Sequence, residues 1–222
     1  MIVILLGAPG SGKGTQCQRL AAKFKFQHLA TGDMFRAEIT QQTTIGVKAQ
    51  DYVKAGKLVP DAIVTEMVAA RVDADGQYLL DGFPRNIEQA QSLAGILKGH
   101  SRSIDLVCYL ALGNDEALKR MTARRICSGC AEVYSILQHA PKVEDVCDKC
   151  GGKLIQRGDD TEATCRKRLM VFEDLTQPLV AYYKAEHVFH EIDATLPASE
   201  VEAKLAALIE PILTAKGPRV RR

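Results

Sequence analysis

The start of the chain narrows its fold more than any other stretch. An apolar run, Ile2 to Leu6, leads directly into GAPGSGKGTQ at residues 7–16. Glycines at 7, 10, 12 and 14 let the backbone turn several amides inward, and a helix starting there adds the positive end of its dipole. The result is an anion hole suited to a polyphosphate. It works only between a strand and a helix, and Cys17, Leu20, Ala21 and Phe24 recur at the spacing of a helix that follows. Gly7, Gly12 and Lys13 complete the phosphate-loop pattern G-x-x-x-x-G-K, with Lys13 as a point charge for the outer phosphates.

One position departs from that pattern. Gly14 stands where a hydroxyl is usual, and Thr15 comes one residue late. Magnesium then lacks its usual direct ligand from the loop and is expected to be held through water and the substrate phosphates, with Thr15 capping a phosphate oxygen. QYLLDGFPR places Asp81 at a strand end, where it orients metal-bound waters or, alternatively, caps the turn at Gly82.

Short apolar runs recur at Phe26–Ala30, Gln77–Leu80, Leu106–Leu112 and Val188–Ile192, separated by helical stretches. That alternation predicts an α/β fold, a P-loop core whose five-stranded parallel sheet is flanked by helices. Two segments interrupt it: residues 31–60, helical without a strand, and residues 123–160, turn-rich with paired cysteines. The expected organisation is one core (1–30, 61–122 and 161–222) with two small insertions. A chain of 222 residues suits that plan better than two full domains. The 29 Lys and Arg nearly balance 27 Asp and Glu, so no bulk charge points to nucleic acid or a membrane surface. The first apolar run has no basic leader and is too short to span a bilayer, which points to a cytoplasmic protein. The final GPRVRR is expected to be frayed and solvated.

Cys127-x-x-Cys130 and Cys147-x-x-Cys150, with sixteen residues between the pairs, have the spacing of a four-thiolate zinc ribbon. Four protein ligands fill a tetrahedron, so the zinc is expected to be structural and to replace the core that so small a segment cannot build. A nucleic-acid ribbon would be basic and rich in aromatics, whereas SGCAEVYSILQHAPKVEDVCDKC has one aromatic and four acidic residues. Cys17, Cys108 and Cys165 lack partner spacing and read as small core residues. The five histidines show no ligand spacing with the cysteines.

GAPGSGKGTQ, followed in order by TGDMFR at 31, GKLVPD at 56, DGFPRN at 81, the arginine pair at 124 and RGDDTEATCRKRL at 157, resembles the adenylate kinases, among the nucleoside monophosphate kinases. The cysteine insertion is similar to the zinc-bearing long lid of the bacterial members. The resemblance implies transfer of a phosphoryl group from Mg-ATP to AMP, giving two ADP, by a monomer with bound zinc and magnesium. Gly10, Ser11, Gly12, Lys13, Gly14 and Thr15 would then hold ATP, with Arg120, Arg124, Val133, Tyr134 and Leu196 around it. AMP would meet Thr31, Arg36, Lys57, Leu58, Val59, Gly82, Phe83, Pro84, Arg85 and Gln89, and also Arg157 and Arg168. Lys13, Arg85, Arg124, Arg157 and Arg168 would surround the moving group, where fixed guanidinium forks suit a polyanionic transition state.

One detail comes from the residues alone. In the helix after Asp160, Cys165, Leu169, Phe172 and Thr176 define a buried stripe, with Arg168 at its border. Asp159 and Asp160 read either as a hinge pair that orients the arginines or, for Asp160, as the cap of that helix. Thr31 has the same ambiguity between lining a base pocket and capping the helix that follows. The run ILQHAPK and Ala131, Ser135 and Ala194 depart from the family pattern.

Overall fold

The computed structural model describes residues 1–216, so the GPRVRR tail lies outside the described residues. Its centre is a parallel sheet of β1 (Ile2–Gly7), β2 (Gln27–Ala30), β3 (Tyr78–Asp81), β4 (Leu106–Ala111) and β8 (Phe189–Asp193), in the order β2-β3-β1-β4-β8. All five runs read from the sequence are strands, shifted by a residue or so at their ends. The central strand β1 is buried along its whole length. Ile2, Ile4 and Leu6 point to one face, Val3 and Leu5 to the other, which is why its apolar run is continuous and does not alternate.

The first face is covered by α4 (Asp61–Ala69), α5 (Ile87–Gly99) and α8 (Pro178–Ala185), the second by α1 (Lys13–Phe24) and α9 (Ala198–Lys216). From β1 the chain passes through α1 to β2, while β4 pairs on the opposite edge of β1. The crevice at the carboxyl end of β1 is therefore a topological switch point, the place where such sheets bind ligands.

Residues 31–60 fold as α2 (Thr31–Thr40) and α3 (Thr44–Lys54), with Thr43 capping α3 by accepting from the Gly46 amide. The two helices approach so closely at Gly46 that a Cβ there would stand 2.1 Å from the Glu38 carbonyl oxygen. After α6 (Asn114–Thr122), a separate antiparallel sheet forms from β5 (Arg124–Cys127), β6 (Val133–Ser135) and β7 (Leu154–Ile155). Among the described residues its own core is Cys127, Tyr134, Cys147 and Leu154, with Cys130 packed against them.

In α7 (Glu162–Val171) and the π-helical turn Phe172–Thr176 that continues it, Cys165, Leu169, Phe172 and Thr176 are all buried. The turn is wider because Gln177 N donates to the Phe172 carbonyl, five residues back, and Pro178 then begins α8 without needing an N–H. Thr161, not Asp160, caps α7, its hydroxyl accepting from Thr164 N. That leaves the Asp160 carboxylate free for other partners.

Candidate active site

Gly10 and Gly12 hold φ near 90°, a conformation that only glycine adopts without strain, and through them the loop after β1 bends around the start of α1. Gly10, Ser11, Gly12, Lys13, Gly14 and Thr15 line a cleft of about 1000 Å³ at the switch point. Lys13 Nζ donates to the Gly7 and Ala8 carbonyls at 2.7 and 2.9 Å, and burial brings its pKa down to about 8. An ammonium destabilised in this way gains when an anion enters. Ser11 Oγ is buried without a partner. Asp81 closes β3 on the same cleft, and its Oδ2 lies 3.5 Å from where a Cβ on Gly14 would be. The carboxylate therefore stands beside the residue that lacks the usual hydroxyl.

Arg120, Val133, Tyr134 and Leu196 also line this cleft. Arg120 is fixed by Glu116 Oε1 at 2.8 Å and by the Ala194 carbonyl at 2.9 Å. Sequence reasoning passed over Gln138 and His139, which line it too; the His139 ring stacks on Tyr134 with 5.5 Å between centroids. They lie in the ILQHAPK run, where no periodicity marked a face.

A second pocket, about 80 Å³, is lined by Thr31, Arg36, Lys57, Leu58, Val59, Arg85 and Gln89. Phe35, Val53 and Val64 supply apolar wall that the sequence offered only as helix-face residues. Thr31 does not cap α2; its hydroxyl donates to the Gly82 carbonyl at 2.8 Å. Gln89 is buried, its Oε1 accepting from Arg85 N at 2.8 Å and its Nε2 donating to Asp61 Oδ1 at 2.7 Å. Asp61 also accepts from Asn86, and so fixes the start of α5 although nothing in the sequence singled it out. Gly82 and Pro84 face the large cleft, whereas the Phe83 side chain is buried in the core and lines neither space.

Between the two spaces stand the arginines. Arg36, Arg85, Arg124, Arg157 and Arg168 all line the large cleft, and Arg36, Arg85 and Arg168 line the small one too. Asp160, fully buried, accepts from Arg124 through both carboxylate oxygens at 2.8 and 2.5 Å and from Arg168 at 3.1 Å. Asp159 pairs with Arg168 at 3.0 Å. Asp33 pairs with Arg36 and, at 3.8 Å, with Arg157. Positive charge still dominates: burial first, then Arg168, brings Arg85 down to about 10, and burial followed by Arg124 does the same to Arg157. Guanidinium groups held together at such cost form a site that a polyanion completes.

The four sulfurs of Cys127, Cys130, Cys147 and Cys150 lie within 4.8 Å of one another, with Cys127 to Cys150 at 3.4 Å and Cys130 to Cys147 at 3.6 Å. The amides of Gly129 and Cys130 donate to Cys127 Sγ, and the Tyr134 hydroxyl lies 3.5 Å from Cys147 Sγ. This all-sulfur donor set, steadied by amides, fits a tetrahedral zinc ion.

The family model described as "Adenylate kinase" matches residues 5–188. Curated proteins of that name are similar over nearly the whole chain. The protein of Lachnospira eligens is 42% identical over 212 residues, covering 94% of this chain and 100% of its own. That of Bacillus licheniformis is 43% identical, covering 94% and 98%. That of Streptomyces coelicolor is 45% identical over 205 residues, covering 90% and 94%.

Proposed function

The chain belongs to the adenylate kinase family of phosphotransferases, and on that premise we propose that it transfers the terminal phosphoryl group of Mg-ATP to AMP, giving two ADP. The observation that carries this reading is that a large cleft at the phosphate loop and a small pocket beside α2 and α3 share the guanidinium groups of Arg36, Arg85 and Arg168. Two nucleotides seated in these spaces would point their phosphates at one another across those charges. Phosphoryl transfer asks mainly for such positioning and for fixed positive charge.

In this reading the loop amides and Lys13 hold the donor phosphates, and Arg120, Val133, Tyr134 and Leu196 enclose the rest of ATP. Arg36 and Arg85 hold the acceptor phosphate, Thr31, Gln89 and residues 57–59 line the AMP base, and Arg124, Arg157 and Arg168 stabilise charge on the moving group. Magnesium, bound with the phosphates, spreads their charge. Asp81, beside Gly14, would orient its waters. Zinc on Cys127, Cys130, Cys147 and Cys150 would supply the crosslink that the small core around Tyr134 and Leu154 cannot. We also infer that residues 31–60 and 123–160 move against a core of 1–30, 61–122 and 161–222, the second as a lid that excludes water. The enzyme would act as a cytoplasmic monomer; among the described residues no helix is long and apolar enough to cross a membrane.

Calorimetric titration of Arg85→Ala tests the assignment of the two spaces. AMP affinity should fall at least tenfold with ATP affinity nearly unchanged, and equal losses for both nucleotides would refute it.

A further inference from the structure

Away from the four-cysteine site, a second group of metal-ligating side chains meets beneath the phosphate loop. Cys17 comes from the second turn of α1, His28 from β2 and Asp81 from the end of β3. Their ligand atoms, one sulfur, one imidazole nitrogen and one carboxylate oxygen, lie within 4.8 Å of one another. His28 Nε2 stands 3.5 Å from Asp81 Oδ2 and is buried without a hydrogen bond. An orphaned nitrogen of this kind calls for a partner. Cys17 has no exposure, but Asp81 opens on the large cleft, and the side chains of His28 and Asp81 keep 17% and 14% of their surface. Of the three, Asp81 alone lines the large cleft, so an ion would reach the site past its carboxylate.

From this geometry we propose that Cys17, His28 and Asp81 form a second, inhibitory site for a thiophilic divalent cation of the zinc class. A tetrahedral ion with bonds of about 2.0 to 2.3 Å needs its ligand atoms about 3.3 to 3.7 Å apart. The His28 and Asp81 atoms already meet that spacing, and closure by at most about an ångström at Cys17 completes it. Three protein ligands leave the fourth position for water. Binding converts the Cys17 thiol to a thiolate and releases its proton to solvent, while His28 binds as the neutral ring. One thiolate and one carboxylate then cancel the dication, so the buried centre carries no net charge. Magnesium, which prefers an oxygen octahedron, is excluded by sulfur and nitrogen. Inhibition follows from position, because an ion here takes Asp81 away from the phosphate loop at Gly14.

Metal uptake at the site does not depend on the nucleotide assignments and is tested without nucleotide, while its inhibitory effect rests on the proposed reaction and is tested separately. Protein whose four-cysteine site carries one counted zinc is titrated with Co²⁺, and equilibrium dialysis is read together with the near-ultraviolet thiolate-to-cobalt band. The wild-type chain should take up a further equivalent, develop that band and release one proton per ion, while Cys17→Ala and His28→Gln should lose the added equivalent. A parallel assay at buffered free Zn²⁺ and saturating Mg-ATP should show inhibition of the wild type and none of Cys17→Ala. No added equivalent in the wild type, or an added equivalent retained by both variants, overturns the proposal. The two variants guard against misfolding of either one, since each must keep its zinc-loaded lid and its melting temperature for its result to be read.

Discussion

Replacing Asp160 by Asn would leave its shape and remove its charge, which makes the buried carboxylate a direct test of how the arginines are held. Asp160 has no exposure and accepts three guanidinium hydrogen bonds, two from Arg124 and one from Arg168. An amide offers one acceptor oxygen. Its NH2 must then face a guanidinium, donor against donor, so at least one bond is lost and the rest are charge-assisted from the guanidinium side alone. Hydrogen bonds to charged groups contribute about 1.5 to 3 kcal/mol each. Breaking a fully buried pair costs about 3 to 5 kcal/mol, and the partial exposure of the two arginines, 19% and 20%, reduces this. The expected loss is about 2 to 4 kcal/mol. For a chain of this length that lowers the melting temperature by about 5 to 12 °C. Differential scanning calorimetry with and without ATP reads both halves of the argument: the variant melts earlier, and ATP then raises its midpoint by more than it raises that of the wild type, because uncompensated positive charge gains more from the anion. A midpoint within about 1 °C of wild type, or an equal ATP-induced rise, would refute the view that Asp160 offsets the charge of Arg124 and Arg168.

Three further outcomes are expected. Gly46→Ala places a methyl 2.1 Å from the Glu38 carbonyl, which should push α3 off α2, cost about 1 to 3 kcal/mol in denaturant unfolding and raise the KM for AMP more than that for ATP. Burial lowers Lys13 to about 8 from 10.5, so the nucleotide-free enzyme loses that charge as pH rises through 8. ATP affinity should then fall between about pH 8 and 10 and stay flatter in Lys13→Met, while the stability of the unliganded fold rises over the same window, because the unfolded chain still holds the proton. Cys130→Ser should reduce bound zinc and lower the melting temperature by several degrees, as expected for the small core of Tyr134 and Leu154; full zinc content with an unchanged melting curve would contradict a structural metal.

Much of the architecture was legible because it is written locally. The inner strands β1, β3 and β4 are short apolar runs buried over most of their length, while the edge strands β2 and β8 bury only part of theirs, and the stripe of Cys165, Leu169, Phe172 and Thr176 follows helical spacing even through the π-helical turn. The phosphate loop and the paired cysteines are likewise contiguous motifs whose chemistry depends on spacing alone. What escaped depends on chain segments meeting. Asp61 fixes Gln89 from 28 residues away and so has no local pattern; Asp160, read as one of two alternatives to orient arginines, does reach Arg124 across 36 residues. Asp160 read equally well as a helix cap, until Thr161 proved to occupy that position. His139 stacks beside the cleft from a run without periodicity, and Phe83, inside a recognisable motif, turns to the core because β3 ends two residues before it. Cys17 and His28 looked like isolated structural residues for the same reason: only the order of β2 and β3 beside α1 brings them together with Asp81.

The most direct test of the central claim is ADP formation from Mg-ATP with AMP, GMP, CMP and UMP as acceptors, on protein whose zinc has been counted. AMP should be used at least a hundredfold more efficiently than the others, two ADP appearing for each AMP consumed. Comparable turnover with another monophosphate would overturn the reading of the pocket around Thr31 and Gln89, and no transfer to any of them would contradict the proposed reaction itself.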